Sequence, residues 1–285
     1  MRWLALVALL PACNKGPERH VDKAAADKLF DEVTIPDAPP GISDLTIDDH
    51  GVMWAVPERN RFVLELGSGA PKQYVLAGVP EGMDTEALTW LSPGHFALGL
   101  EHAHEAVAGI AWANLDGDHV VVEKRRMLTS NELGVQITDN HGIEGVCGHG
   151  DDVLAASESV IKHPDGSRWA ALVRIHGDDM HIAKLKLTSD AGKISALYCT
   201  FAPDGTVDVT AIERHFGVCR IVTFQVHPDD TEVTAAVELD LEPVLHDSFN
   251  LEGLTKLPDG RMVLVNDNQS DRVVGPTELL YFHPR

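Results

Sequence analysis

Five copies of one short pattern run through this chain, and no other feature restricts its fold so strongly. The fullest copy, residues 249–268, reads FNLEGLTKLPDGRMVLVNDN. Its apolar positions in GLTKL and RMVLV suit β-strands, and PDG between them supplies a proline and a glycine fit for a tight hairpin turn. The other copies are ISDLTIDDHGVMWAVPER from Ile42, DTEALTWLSPGHFALGLEH from Asp84, GIEGVCGHGDDVLAASES from Gly142 and ISALYCTFAPDGTVDVTAIER from Ile194. Aligned on their small or apolar pair (DL, AL, GV, AL, GL), they place Ser43, Glu86, Glu144, Ser195 and Glu252 at one equivalent position. Successive members stand 43, 58, 51 and 57 residues apart, near or somewhat above the roughly 40–50-residue period of four-stranded propeller blades.

The expected architecture is therefore all-β, a five-bladed β-propeller formed by residues 29–285 as one domain. Each unit should hold four antiparallel strands; in the first these are ISDLTI, VMWAVP, RFVLELG and KQYVLAG. The fifth unit runs out after TELLYFHP with three strands, so its outer strand is expected from LFDEVTIPDA near the N-terminus. Pairing the two ends closes the ring and removes an exposed sheet edge. A six-bladed ring is the alternative, but residues 109–140, where a sixth unit would have to lie, contain WANLDGDHVVVEKRRML, which reads better as the outer hairpin of the second unit.

Innermost strands of a propeller converge on a narrow axis. Three carboxylates there, Glu86, Glu144 and Glu252, repel one another unless they are protonated or neutralised by a cation. With Ser43 and Ser195 the ring offers only carboxylate and hydroxyl oxygen, which suits a hard ion and disfavours zinc. Five protein groups plus waters fit calcium better than the strict octahedron of magnesium. The alternative is that these glutamates accept hydrogen bonds from backbone amides of neighbouring units. A second polar ring follows the second strand: Glu58, Glu101, Glu158, Glu213 and Asp267, fifteen residues after the first in three copies, fourteen in the third and eighteen in the fourth. With Arg59 and Arg214 it should line the channel mouth and receive a small-molecule or protein ligand. EHAHE places His102 and His104 on one face of an extended segment. His141, His163 and His215 fall in comparable loops and could act as general bases near the mouth.

Ahead of the repeats, Met1 to Cys13 has the form of an export signal: Arg2, the apolar run Trp3 to Leu10, then Leu-Pro-Ala-Cys. Those last residues resemble the lipobox of bacterial lipoproteins, which implies lipidation at Cys13, a tether over residues 14–28 contributing little to the core, and a place in the cell envelope, periplasmic or at the outer surface. The tether can turn helical over AAADKLF. With 44 acids against 23 bases, a formal charge of −21, nucleic acid polymers and anionic membrane surfaces are poor partners, and contact with a membrane is expected only through the anchor. Besides Cys13 there are Cys147, Cys199 and Cys219; export permits a disulfide, and the odd count leaves at least one thiol outside it.

The alternation Ser, Glu, Glu, Ser, Glu carried by ISDL, TEAL, IEGV, ISAL and LEGL resembles the calcium-activated nucleotidases (apyrases), five-bladed propellers with a central calcium held by serines and glutamates in that order. The likeness implies a central calcium at Ser43, Glu86, Glu144, Ser195 and Glu252, and a substrate site at the channel mouth. EGLTKLPDGRMVLVNDN is also similar to the family of esterase-like activity of phytase, another propeller group with repeated EG motifs. At the mouth the chain departs from the nucleotidases: Glu58-Arg59 matches their Asp-Arg pair, Glu213-Arg214 is a weaker counterpart, and Glu158-Ser159 stands where they carry arginines. Five acids would oppose a polyphosphate. The expected function is calcium-supported ligand or partner binding. The alternatives are a calcium-dependent phosphohydrolase acting on nucleotides or phosphoesters, and an interaction platform with a purely structural ion.

Overall fold

The computed structural model describes residues 20–246, 249–269, 273 and 275–283. The expected export signal, Cys13 and the first part of the expected tether lie outside them. A short helix α1 (Lys23–Leu29) leads into β1 (Phe30–Thr34). The next strands fall into units of four. The first is β2 (Ile42–Ile47), β3 (Met53–Pro57), β4 (Phe62–Leu66) and β5 (Lys72–Ala77); the second is β6 (Met83–Ser92), β7 (His95–His102), β8 (Ala108–Asp116) and β9 (His119–Leu128). After α2 (Ser130–Leu133) the third follows as β10 (Ile143–His149), β11 (Asp152–Lys162), β12 (Arg168–His176) and β13 (Asp179–Lys186). The fourth holds β14 (Lys193–Phe201), β15 (Val207–His215) and β16 (Val218–Val226), then the detour β17 (Glu232–Thr234) and the outer strand β18 (Ala236–Asp240). Past α3 (Glu242–Leu245) the last unit has β19 (Asn250–Lys256), β20 (Met262–Asp267) and β21 (Glu278–Phe282). Its fourth strand is β1, antiparallel to β21 with Phe30 opposite Phe282, so the chain ends pair as the sequence predicts.

Within each unit the strands pair antiparallel, while the inner strands β2, β6, β10, β14 and β19 each touch the next and β19 returns to β2. The fold is a β-propeller. Two parallel pairings between units were not legible beforehand: β5 with β9, which merges units one and two into an eight-stranded sheet, and β17 with β13. Both cover outer strands that would otherwise offer free backbone groups.

Apolar side chains are buried between successive units. Leu154, Leu172, Leu197 and Phe224 fill the space between units three and four, and Trp54, Leu88, Phe96 and Leu98 that between one and two. The alignment pair is small for a steric reason: a Cβ on Gly253 would sit 2.8 Å from Asp44 Cα, and one on Gly145 2.7 Å from the Leu197 side chain, because inner strands approach so closely. Asp44 is the exception at this position. Fully buried, it accepts from the backbone N–H of Leu45 (2.8 Å) and of Leu88 (2.9 Å), so its carboxylate staples β2 to β6; burial pushes its pKa well above the ordinary range.

The stretch expected to contribute little to the core does contribute. α1 is capped by Asp22, whose side chain accepts from Ala25 N at 3.1 Å, and it buries Ala26 completely against a cluster with Phe30, Val244, Leu245 and Phe282. Alanine-rich residues at helical spacing give a face small enough to lie flat on the last two units. Cys147 and Cys199 form a disulfide between the inner strands of units three and four, and Cys219 is buried outside it. Among the described residues no helix is long and apolar enough to cross a membrane.

Candidate functional site: a carboxylate pocket on the propeller axis

All five first-ring residues sit at the same backbone irregularity. Each inner-strand hairpin slips register across one residue, and the residue skipped is Ser43, Glu86, Glu144, Ser195 or Glu252. A bulge leaves its extra residue unpaired and re-aims its side chain, which accounts for five equivalent positions turned from the sheet toward the axis. Four of the five, all but Ser195, line a cavity of about 290 Å³ together with Glu58, Arg59, Glu101, Glu158, Arg214 and Asp267. Ser195 is fully buried, and its hydroxyl donates to the Leu251 carbonyl at 3.0 Å.

The second ring needs one correction. The residue two before each bulge pairs across the hairpin with a second-ring residue: Asp84 with Glu101 and Asn250 with Asp267, while Glu58 N and Glu158 N donate to the carbonyls of Gly41 and Gly142. In unit four the residue two before the bulge is Lys193, and it pairs with Arg214; Glu213 pairs with Ile194. One residue of offset moves a side chain to the other sheet face. Glu213 is accordingly absent from the pocket and instead accepts from the backbone and hydroxyls of Thr188 and Ser189. The second ring thus holds four acids and an arginine, Arg214, beside Arg59.

Charge is distributed unevenly around this pocket. On the side of units three to five every acid has a cationic or amide partner: Lys193 Nζ contacts Glu158 and forms an ion pair with Glu144 at 3.8 Å, Arg214 Nε donates to Glu252 at 3.0 Å, and Asn250 Nδ2 bridges Glu252 (2.9 Å) and Asp267 (2.8 Å). On the side of units one and two, Glu58, Glu86 and Glu101 have ligand-competent oxygens all within 4.8 Å of one another. Glu86 Oε1 is buried without a hydrogen-bond partner. Glu101 accepts from Gly142 N at 3.0 Å, an approach that requires glycine because a Cβ there would lie 2.2 Å from that of Glu101. Glu58 accepts from Arg59 Nε, whose side chain is 63% exposed, and from Gln269 Nε2. Burial, then the neighbouring carboxylates Glu101, Glu58 and Glu144, push Glu86 well above the ordinary range, and burial with Glu144 pushes Glu101 up to about 8. Burial pulls the Lys193 ammonium down.

Three clustered carboxylates, two of them buried and one with an unsatisfied oxygen, are what a hard cation resolves, and the donor set fits calcium. Of the histidines, His215 lines the pocket and His141 Nε2 stands 4.0 Å from Glu158, whereas His163 lies against Trp169. His102 and His104 interact with each other through the His104 N–H, and the metal-competent groups among the described residues consist of glutamates. Lys193, Asp84 and Asn250 escape the sequence analysis. Their signal is their position two residues before the ring residue, on the same strand.

Residues 70–270 match the family described as Phytase-like: Esterase-like activity of phytase. The chain belongs to this family. No curated protein matches it in sequence. Among solved structures, the β-1,3 galactosidase of glycoside hydrolase family GH43 is similar at 10% identity and a TM-score of 0.50, over 88% of this chain and 60% of that one. A putative oxidoreductase (glucose dehydrogenase) from Thermus thermophilus gives 9% and 0.49 over 89% and 100%. The PQQ-bound aldose sugar dehydrogenase of Streptomyces coelicolor gives 12% and 0.47 over 89% and 98%. At such identities the likeness concerns the fold alone, and the phytase-like family stands where the nucleotidases were the first resemblance.

Proposed function

We propose that this phytase-like propeller is a calcium-binding protein of the bacterial cell envelope that presents a ligand site at the mouth of its axial pocket. The observation that carries the reading is Glu86 Oε1, a buried carboxylate oxygen with no partner inside a triad of acids. Glu86, Glu58 and Glu101 would hold the ion, with Ser43 and Glu144 beside them on the cavity wall. Calcium supplies the positive charge that lets these acids ionise together and gives an anionic or hydroxylated ligand group a point of attachment. The chain's own residues shape the rest: Arg59 at the mouth is the exposed cation best placed to meet such a ligand, while Lys193 and Arg214 are committed to Glu158 and Glu252. Export and lipidation at Cys13 are part of the proposal, supported by Leu-Pro-Ala-Cys and by the Cys147–Cys199 disulfide, a bond typical of oxidising compartments.

Membership of the phytase-like family favours a second reading, calcium-dependent hydrolysis of phosphoesters, with nucleotides as the apyrase-like variant of it. Against it stands the balance of pocket-lining charge, seven acids to three bases. Calorimetric titration with calcium tests the first reading: binding is expected in wild type and should weaken at least tenfold, about 1.4 kcal/mol, in Glu86→Gln. Equal affinity in both proteins would remove the triad from the site. Phosphate release from a panel of phosphoesters and nucleotides, abolished by chelation and lowered a hundredfold in Arg59→Ala, would establish the second reading in its place.

A further inference from the structure

We propose that the pocket contains two adjacent cation positions and that the second is filled permanently by the Lys193 ammonium, so that the protein takes up one divalent ion where its carboxylates could hold two. The inference rests on the cation reading above and goes beyond it in assigning the stoichiometry to one residue. Two triads of glutamates have ligand spacing, Glu58/Glu86/Glu101 and Glu101/Glu144/Glu158, and they share Glu101. Each keeps one buried oxygen without a hydrogen bond, Glu86 Oε1 and Glu158 Oε2, on side chains of residues only 8% and 5% exposed. By acid content the two are equivalent.

Besides His141 Nε2, 4.0 Å from Glu158 Oε2, the second differs from the first in one strand-start residue. Lys193 extends from β14 into the second triad, touching Glu158 and standing 3.8 Å from Glu144. Nothing equivalent enters the first, since Arg59 reaches only Glu58 from the exposed side. An ion entering the second triad would have to expel Lys193 and strand a buried ammonium away from its counter-ions, which is strongly unfavourable. The tethered amine is also always present, at an effective concentration that a free ion does not match. The first triad presents no such competitor.

Equilibrium dialysis against calcium, with the ion content of the protein measured by atomic spectroscopy, tests this on wild type, Lys193→Met and Lys193→Arg, each checked for folding by circular dichroism. One ion per chain is expected in wild type and in Lys193→Arg, which keeps the charge, and two in Lys193→Met. A wild type with two ions, or a folded Lys193→Met with one, overturns the proposal. A wild type that binds none defeats the cation reading itself, a distinct result. If Lys193→Met is unfolded without calcium, calcium should fold it at two ions per chain; folding with one, or failure to fold at any concentration, counts against the proposal.

Discussion

Units two and four carry the same three backbone positions near the axis and fill two of them with opposite charge. The residue two before the bulge, the bulged residue and the partner of the former across the hairpin are Asp84, Glu86 and Glu101 in unit two, and Lys193, Ser195 and Arg214 in unit four. The repeat supplies an almost symmetrical frame of bulges. The side chains placed on it are not symmetrical, and that asymmetry moves the unneutralised carboxylates to one side of the axis. In a repeat fold the backbone is common property; the site is made by departures from it.

Removing one charge on each side should therefore change stability with opposite sign. Arg214→Met leaves Glu252 buried without its guanidinium, a loss on the order of 3–5 kcal/mol in urea unfolding. Glu86→Gln removes a carboxyl group whose ionisation burial and its neighbours oppose, and should raise the stability of the ion-free protein at pH 8, by about 1 kcal/mol. The comparison breaks if both substitutions destabilise to a similar degree.

A smaller effect separates the halves by pH. Burial and like charges raise Glu86 and Glu101 in the folded chain, the latter to about 8, above the ordinary glutamate value of about 4.3 that holds after unfolding. The folded state then retains protons that the unfolded state has released. These groups contribute their stability in full below about pH 4.3, and it is lost as pH climbs toward and past 8. Calcium bound as proposed would compete with those protons, so its stabilisation should grow over the same window and approach about 2.7 kcal/mol at a hundredfold excess over its dissociation constant. Thermal melts at pH 5.5 and 8, with calcium and with chelator, measure this. A calcium increment that is the same at both pH values would mean that these two carboxylates do not meet the ion.

Much of this was legible in the sequence because the bulge repeats. A skipped residue at one place in five hairpins leaves a fixed offset between a polar residue and a small one, and the copies align on that offset. Closure of the last unit by LFDEV follows from counting strands. The fourth unit hid its register: eighteen and nineteen residues are equally compatible with its longer hairpin, and only the pairing of Ile194 with Glu213 decides between neighbours of opposite charge. Lys193 was missed because the alignment began at Ile194, one residue too late. Ser195 matches the ring pattern yet spends its hydroxyl on the Leu251 carbonyl, a tertiary contact that no spacing reveals. The nucleotidase likeness rests on the ring and the Glu58-Arg59 pair, whereas the family match takes in the EG motifs at Glu144-Gly145 and Glu252-Gly253.

The register of unit four supplies the smallest expected effect and the sharpest one. By sequence position Glu213 and Glu101 are counterparts, so a symmetrical mouth would make them equally important for the ion. By strand pairing Glu213 faces the Thr188–Ser189 turn, its oxygens accepting two backbone N–H groups and two hydroxyls at 2.5–3.0 Å. Glu213→Gln should weaken those bonds and lower stability, by roughly 1–3 kcal/mol, because an amide cannot accept at both ends. It should leave the calcium dissociation constant within about twofold of wild type, while Glu101→Gln raises it tenfold or more, about 1.4 kcal/mol. Parallel loss of affinity in the two variants would restore the symmetrical ring. A change confined to stability in Glu213→Gln and to affinity in Glu101→Gln would place the ion on the side of units one and two, opposite the lysine and arginine of unit four.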